Sequence, residues 1–218
     1  MDIIYKDIRE EARKHLKGSW KVVILVSLVY KAANIIENIL PEFNTLWSIL
    51  MPVIMIIYSS VFLFGYSSII LKIVRGEKVK FQDLFSGRFL KSLGMSFVVG
   101  LYTLLWSLLL IIPGIIASAK YSMTYYVWVD NPNISISEAI DKSIHMTNGH
   151  IWEIIKLCLS FWLWFCLIFL SAGIVGHYLY KPGFDLIVPI GMIFLAPYID
   201  VAMGTLYNRL TNEIWNYN

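Results

Sequence analysis

The sequence predicts an all-α membrane protein with about six transmembrane helices and amphipathic helices at the cytoplasmic surface. Hydrophobic residues make up 58% of the 218-residue chain and charged residues only 15%. The mean hydropathy is +0.66. Apolar stretches of roughly 20 residues, each long enough to cross a hydrocarbon layer of ~30 Å, recur from Trp20 to Leu210. They are unbroken runs without the period-two alternation of a β-barrel, so helices are expected.

Six spans are predicted within a single polytopic membrane domain that covers residues 1–218. They lie at about 20–38, 46–74, 92–112, 115–129, 151–176 and 184–210. Because they occupy more than half of the chain, they leave no room for a separate soluble catalytic domain. We expect Pro189 and Pro197 to bend the last span.

Pro113-Gly114 divides the third span from the fourth, and we interpret it as a tight hairpin on the outer face. The main alternative is one kinked helix. Residues 92–129 would then form a helix ~57 Å long, which is too long for a single crossing.

The distribution of basic residues predicts the orientation in the membrane. Fifteen of the 18 Lys and Arg residues fall in alternate loops, with clusters at Lys6–Lys21 and Lys72–Lys91. Loops with an excess of Lys and Arg stay in the cytoplasm, so both termini are expected to be cytoplasmic. This topology also explains the basic patches without a nucleic-acid partner.

Residues 1–18 are predicted to form a helix in the plane of the membrane. At 100° per residue, Ile4, Ile8 and Leu16 share an apolar face that meets lipid or the bundle, and Arg9 and Lys17 lie opposite.

Two further segments resemble this one in pattern. Each of the three is amphipathic, ends at a glycine and precedes a pair of spans, which suggests three helix-hairpin units; the glycines are Gly18, Gly87 and Gly149. The third segment starts with a predicted capping box at Ser135 and Glu138, and Ala139 and Ile140 lie on its apolar face.

Several motifs are more specific than membrane insertion requires. They are Trp106 and Pro113-Gly114 within the run 105–115, then Tyr121, Asp130, Pro132, Glu138, Gly149, Pro197, Tyr198 and Tyr207. In order and spacing they resemble the bacterial integral membrane protein family catalogued as "domain of unknown function 975", over essentially the whole chain. The resemblance implies a multi-pass protein of the bacterial cell (plasma) membrane. It supplies no activity, substrate or catalytic residue.

Polar groups inside the predicted spans are the candidate functional residues, because an ionisable side chain at mid-membrane costs ~2.5–3.5 kcal/mol on insertion scales. Lys120 and Asp200 are predicted to pair, either as a structural ion pair or as a site for an ion, a proton or a lipid head group. Lys31, Asn34 and Glu37 follow one side of the first span. They either mark a helix end that reaches the outer surface or line a cavity.

Nothing in the sequence predicts an enzyme, a metal site or a cofactor. The phosphate-binding, nucleophile-elbow and C-x-x-C motifs are absent. His145 and His150 lie about 140° apart on a helical wheel, unlike ligands that share one helix face. Ser137 and Ser143 are interpreted as cap and surface residues. The eight Trp and 13 Tyr residues are interpreted mainly as span-end and packing residues.

Two function classes remain. The first is non-enzymatic binding or transport of an amphipathic molecule, such as a lipid or a membrane-active peptide. The second is a structural or accessory role in bilayer shaping, complex assembly or tolerance to membrane-active compounds. A polar, accessible cavity between the spans near Lys120 and Asp200 would favour the first class. The sequence leaves the oligomeric state open.

Overall fold

The described structure is all-helical. It is a computed structural model that describes residues 5–39, 45–179 and 182–217, with side chains at 6–30, 47, 50–51, 53–108, 110, 112–178 and 187–212. The α-helices are α1 Tyr5–Leu16, α2 Trp20–Ile39, α3 Thr45–Val74, α4 Phe89–Leu109, α5 Ile111–Tyr121, α6 Thr124–Asp130, α7 Ile136–Thr147, α8 Ile151–Leu159, α9 Trp162–Leu179 and α10 Pro182–Tyr217, with a 3-10 helix at Phe81–Phe85.

Among the described residues, four helical stretches are long and apolar enough to cross a membrane. They are Val53–Val74, Phe89–Leu108, Ile151–Tyr178 and Ile187–Asn212. α2 contributes a shorter apolar stretch, Trp20–Tyr30. The chain is therefore a multi-pass membrane protein, and the described part supports four candidate spans where the sequence predicted six.

The predicted span 115–129 is interrupted in the structure. α5 has 11 residues and α6 has seven, with a turn at Ser122-Met123 between them. At 1.5 Å per residue these helices are ~16 Å and ~10 Å long, so neither crosses ~30 Å of hydrocarbon alone.

The hairpin between α4 and α5 turns three residues earlier than predicted. Leu110 is the extended residue, with φ −165° and ψ 151°. Pro113 lies in the first turn of α5, where backbone N–H groups have no intrahelical acceptor, so its missing N–H costs no helix bond. Gly114 packs against α4, since an ideal Cβ there would lie 2.5 Å from Ser107 Oγ. The two motif residues thus shape the contact between the helices, and the turn itself lies at Leu110.

α1 docks on the bundle through its predicted apolar face. Ile8 and Leu16 are fully buried in the main core cluster. On the polar side, Arg209 of α10 donates to Glu11 Oε2 from Nε at 2.9 Å and from Nη2 at 2.6 Å. The prediction for these two apolar residues is confirmed, and the bundle covers them. Ile4 lies outside the described residues.

The three predicted amphipathic segments differ in form. Gly18 and Gly149 have φ of +95° and +87°, the left-handed conformation that glycine adopts at helix ends. Gly87 has no positive φ; an ideal Cβ there would lie 2.8 Å from the Val61 carbonyl oxygen. The second segment contains only the five-residue 3-10 helix. A strict threefold repeat is therefore absent from the described segments.

The capping box of α7 is confirmed. Glu138 N donates to Ser135 Oγ at 3.2 Å, and Ser135 N donates to Glu138 Oε2 at 2.7 Å. This bond from the Ser135 backbone is the main reason why the pKa of Glu138 lies below its usual value. Ala139 and Ile140 are buried as predicted.

Candidate functional site

A polar cavity of about 240 Å³ lies around Asp200, within the candidate span of α10. Tyr66 of α3 donates its hydroxyl hydrogen to Asp200 Oδ2 at 2.5 Å. Tyr126 of α6 donates to the Asp200 carbonyl oxygen at 3.1 Å. The cavity is partly open to the outside and is lined by Tyr30, Leu63, Tyr66, Ser67, Ser122, Tyr125, Tyr126, Asp200 and Met203.

Four helices supply the polar groups of this cavity. The rings of Tyr30 and Tyr66 stack with centroids 4.6 Å apart and planes 12° from parallel, which joins α2 to α3. Tyr66 Oη also lies 3.3 Å from Ser27 Oγ. Hydrogen bonds to a carboxylate and to a carbonyl offset part of the cost of polar groups in this apolar setting.

The predicted ion pair between Lys120 and Asp200 is wrong. Lys120 lies in the last turn of α5 and lines a different cavity, of about 380 Å³. Among the described residues it forms no ion pair. The physical reason is the side of the segment on which Lys120 lies: Ser122, Tyr125 and Tyr126 line the Asp200 cavity, and at 100° per residue Lys120 lies ~120–160° from them.

The cavity of Lys120 is mainly apolar and adjoins a larger groove. It is lined by Trp106, Pro113, Ile116, Ala117, Lys120, Tyr121 and Ile144. Ser143 of α7 donates its hydroxyl hydrogen to the Lys120 carbonyl oxygen at 2.6 Å. Ser143 was expected at the surface but is fully buried, because it satisfies a carbonyl of the last turn of α5.

Lys31, Asn34 and Glu37 lie on α2, as predicted. Their side chains fall outside the described residues, so their relation to the Asp200 cavity stays a prediction.

A third polar cluster ties the end of α3 to α6 and α10. Arg75 donates to both carboxylate oxygens of Asp130, at 2.8 and 2.7 Å. Tyr207 donates to Asp130 Oδ2 at 2.8 Å. The Asp130 carboxylate raises the pKa of Arg75, chiefly through the hydrogen bond. Bidentate Arg–carboxylate contacts fix geometry as well as charge, so this cluster holds the ends of α3 and α6 against Tyr207 of α10.

Among the described residues, no group of three or more His, Cys, Asp or Glu side chains is placed to hold a metal ion. The two cysteines, Cys158 and Cys166, are free.

A family model described as "Protein of unknown function (DUF975)" matches residues 3–117 and 108–213. The chain belongs to this family. The match confirms the resemblance drawn from the sequence motifs. No curated protein and no solved structure matches the chain.

The DUF975 motif residues lie at several packing sites. Trp106, Pro113 and Tyr121 line the Lys120 cavity, and Gly149 lines the groove beside it. Tyr198 donates to the Arg9 carbonyl oxygen at 3.1 Å, so it anchors α1 on α10.

Pro132 and Pro197 complete the set. The Pro132 carbonyl oxygen accepts bonds from Arg88 at 3.0 Å and from Lys91 at 2.8 Å. Pro197 lies inside the continuous helix α10, three residues before Asp200.

Sequence reasoning missed the tyrosines of the Asp200 cavity. Tyr30, Tyr66 and Tyr126 were grouped with residues of the span ends. The sequence did contain a sign of this role for Tyr66. It lies well inside an apolar run, nine residues before Arg75, and a buried tyrosine hydroxyl needs a hydrogen-bond partner.

Proposed function

We propose that this protein binds or moves an amphipathic molecule whose polar group enters the Asp200 cavity. The observation that carries the proposal is a partly open, polar cavity beside an acidic residue of a candidate span. On the sequence alone, a polar, accessible cavity near Lys120 and Asp200 was the feature expected to favour binding or transport over a purely structural role. The proposed role is non-enzymatic.

The lining favours a cationic group over an anionic one. Four tyrosines, two serines and one carboxylate line the cavity, and the described lining includes no Lys, Arg or His. Carboxylates attract ammonium groups and tyrosine faces add cation–π attraction. Because a carboxylate accepts several hydrogen bonds at once, the Tyr66 bond is compatible with a ligand ammonium group. Fatty amines and cationic membrane-active peptides both carry such groups.

Titration with octylammonium tests this proposal. Wild-type protein in detergent should show saturable binding, followed by its tyrosine and tryptophan fluorescence. Asp200→Asn should weaken the binding by about tenfold, equivalent to ~1.4 kcal/mol. Asp141→Asn, which changes an exposed carboxylate on α7, is the matched control and should bind as wild type does. Equal affinities for wild type and a folded Asp200→Asn variant would contradict the proposal.

The structural or accessory role is the second candidate. Its support is that Tyr66 and Tyr126 bond Asp200 from α3 and α6, so the same residues can serve to join helices. If Asp200→Asn and Tyr66→Phe lower the melting temperature but wild type binds no octylammonium, the accessory role is favoured.

We also propose that the protein lies in the bacterial plasma membrane with both termini in the cytoplasm. The support is the loop distribution of Lys and Arg together with the family and the candidate spans. Reporter fusions at Met1 and Asn218 should both report a cytoplasmic location. An external signal from either end would overturn this topology.

A further inference from the structure

Two cavities beside α5 adjoin at a shared lining residue, Ile116, and together make up a groove. One, of about 380 Å³, contains Lys120, and the other, of about 490 Å³, is almost wholly apolar. The apolar part is lined by Ile112, Ile115, Ile116, Gly149, Ile151, Trp152 and Ile155.

Lys120 brings a positive charge to one end of this groove. Its side chain is half-buried, and the other side chains that line its cavity carry no charge. Within the described part of the chain, its ammonium group forms no ion pair. Ser143 and Thr147 of α7 donate to its carbonyl oxygen at 2.6 and 3.4 Å, which fixes its position. A cation held in apolar surroundings is stabilised when an anion joins it there.

The groove is bordered by the buried side of α7. α7 exposes Glu138, Asp141, Lys142 and His145 on one side, and it buries Ala139, Ile140, Ser143 and Thr147 on the other. Lys120 packs directly against this buried side, where Ser143 and Thr147 bond its carbonyl oxygen. Trp106 and Trp152, 46% and 70% exposed, flank the groove.

We propose that this groove binds an anionic phospholipid. Its phosphate contacts Lys120 Nζ, and an acyl chain lies along Ile112, Ile115 and Trp152. The charge complementarity selects an anionic head group, and the adjoining apolar groove selects a lipid over free phosphate. The site is separate from the Asp200 cavity, so it stands whether or not the proposed function does.

Native mass spectrometry of the purified protein with phosphatidylglycerol and phosphatidylcholine of equal acyl chains tests the proposal. Wild type should retain several-fold more phosphatidylglycerol than phosphatidylcholine. Lys120→Gln should lose most of this preference, and Lys120→Arg should keep it. Lys142→Gln, which removes an exposed lysine of α7, is the matched control and should behave as wild type does. Equal retention of both lipids by wild type, or an unchanged preference in Lys120→Gln, would overturn the proposal.

A second measurement needs no change at Lys120. Phosphatidylglycerol brominated on its acyl chains should quench tryptophan fluorescence more than brominated phosphatidylcholine does. The difference should shrink in Trp152→Phe, because Trp152 lines the acyl part of the groove. Excess inorganic phosphate should leave the quenching unchanged; complete displacement by phosphate would indicate a free-anion site and overturn the lipid assignment.

Discussion

Asp200 and Lys120 carry opposite charges on apolar helices, but the fold surrounds them differently. Asp200 receives hydrogen bonds from two tyrosines of neighbouring helices, at its carboxylate and at its carbonyl. Lys120 receives hydrogen bonds only at its carbonyl among the described contacts, and apolar side chains surround its ammonium group. The Asp200 carboxylate is thus bonded from within the bundle, whereas the Lys120 ammonium group has no ion pair among the described residues. Two oppositely charged side chains on apolar helices therefore need not pair with each other.

The largest expected effect comes from separating α3 and α10 behind the Asp200 cavity. An ideal Cβ on Gly204 would lie 2.8 Å from Ile70 Cγ2 and 3.3 Å from Val74 Cγ2. Gly204→Val should therefore force these helices apart and lower the free energy of unfolding by ~1–3 kcal/mol. Thermal unfolding in detergent measures the loss.

Gly173→Val is the matched control, because a Cβ at Gly173 has no neighbour within 4 Å. It should leave the melting temperature nearly unchanged. If the Asp200 cavity and the Lys120 groove are separate sites, Gly204→Val should weaken octylammonium binding and leave the phosphatidylglycerol preference unchanged. Equal stability of the two glycine variants would show that α3 and α10 are not closely packed there.

A double-mutant cycle tests whether the two charged sites are separate. Asp200→Asn should cost ~1.5 kcal/mol, because it weakens a charge-assisted hydrogen bond from Tyr66. Lys120→Gln should cost little, and the effects should add within ~0.5 kcal/mol, as expected for residues without shared partners. A larger coupling energy from thermal or denaturant unfolding would mean that the residues interact, and it would restore the ion pair that the sequence predicted.

Features with local causes were predicted well. The capping box at Ser135 and Glu138 needs only residues three apart, and the buried face of α1 follows from the spacing of Ile8 and Leu16. Long apolar runs indicated membrane helices for the same reason, because hydrophobicity and length suffice to define them.

Features that depend on distant residues were missed. The hydroxyl of Tyr66 meets Asp200 across 134 positions of sequence, and no periodicity connects them. The break at Ser122-Met123 is also invisible in an apolar run, because neither residue is a helix breaker like proline. Lys120 faces away from Asp200, because Ser122, Tyr125 and Tyr126 line the Asp200 cavity from the other side of the same segment.

Asp83 lies outside the candidate spans, in contrast to Asp200. Its substitution is expected to have the smallest effect on the melting temperature. Its carboxylate accepts from Lys80 N at 3.0 Å and pairs with Lys72 at 3.0 Å. The Lys80 backbone bond is the main reason why the pKa of Asp83 lies below the ordinary 3.8, with Lys72 adding to the shift. A carboxyl whose pKa is lowered by folding contributes stability above its unfolded pKa, and it loses that contribution as the pH falls through the folded pKa.

The melting temperature should therefore fall on acidification below about pH 4, and Asp83→Asn should show less of this fall than Asp141→Asn. Because exposed pairs contribute less than ~1 kcal/mol, the difference is small, and identical acid profiles for the two variants would mean that the bonds of Asp83 do not stabilise the fold.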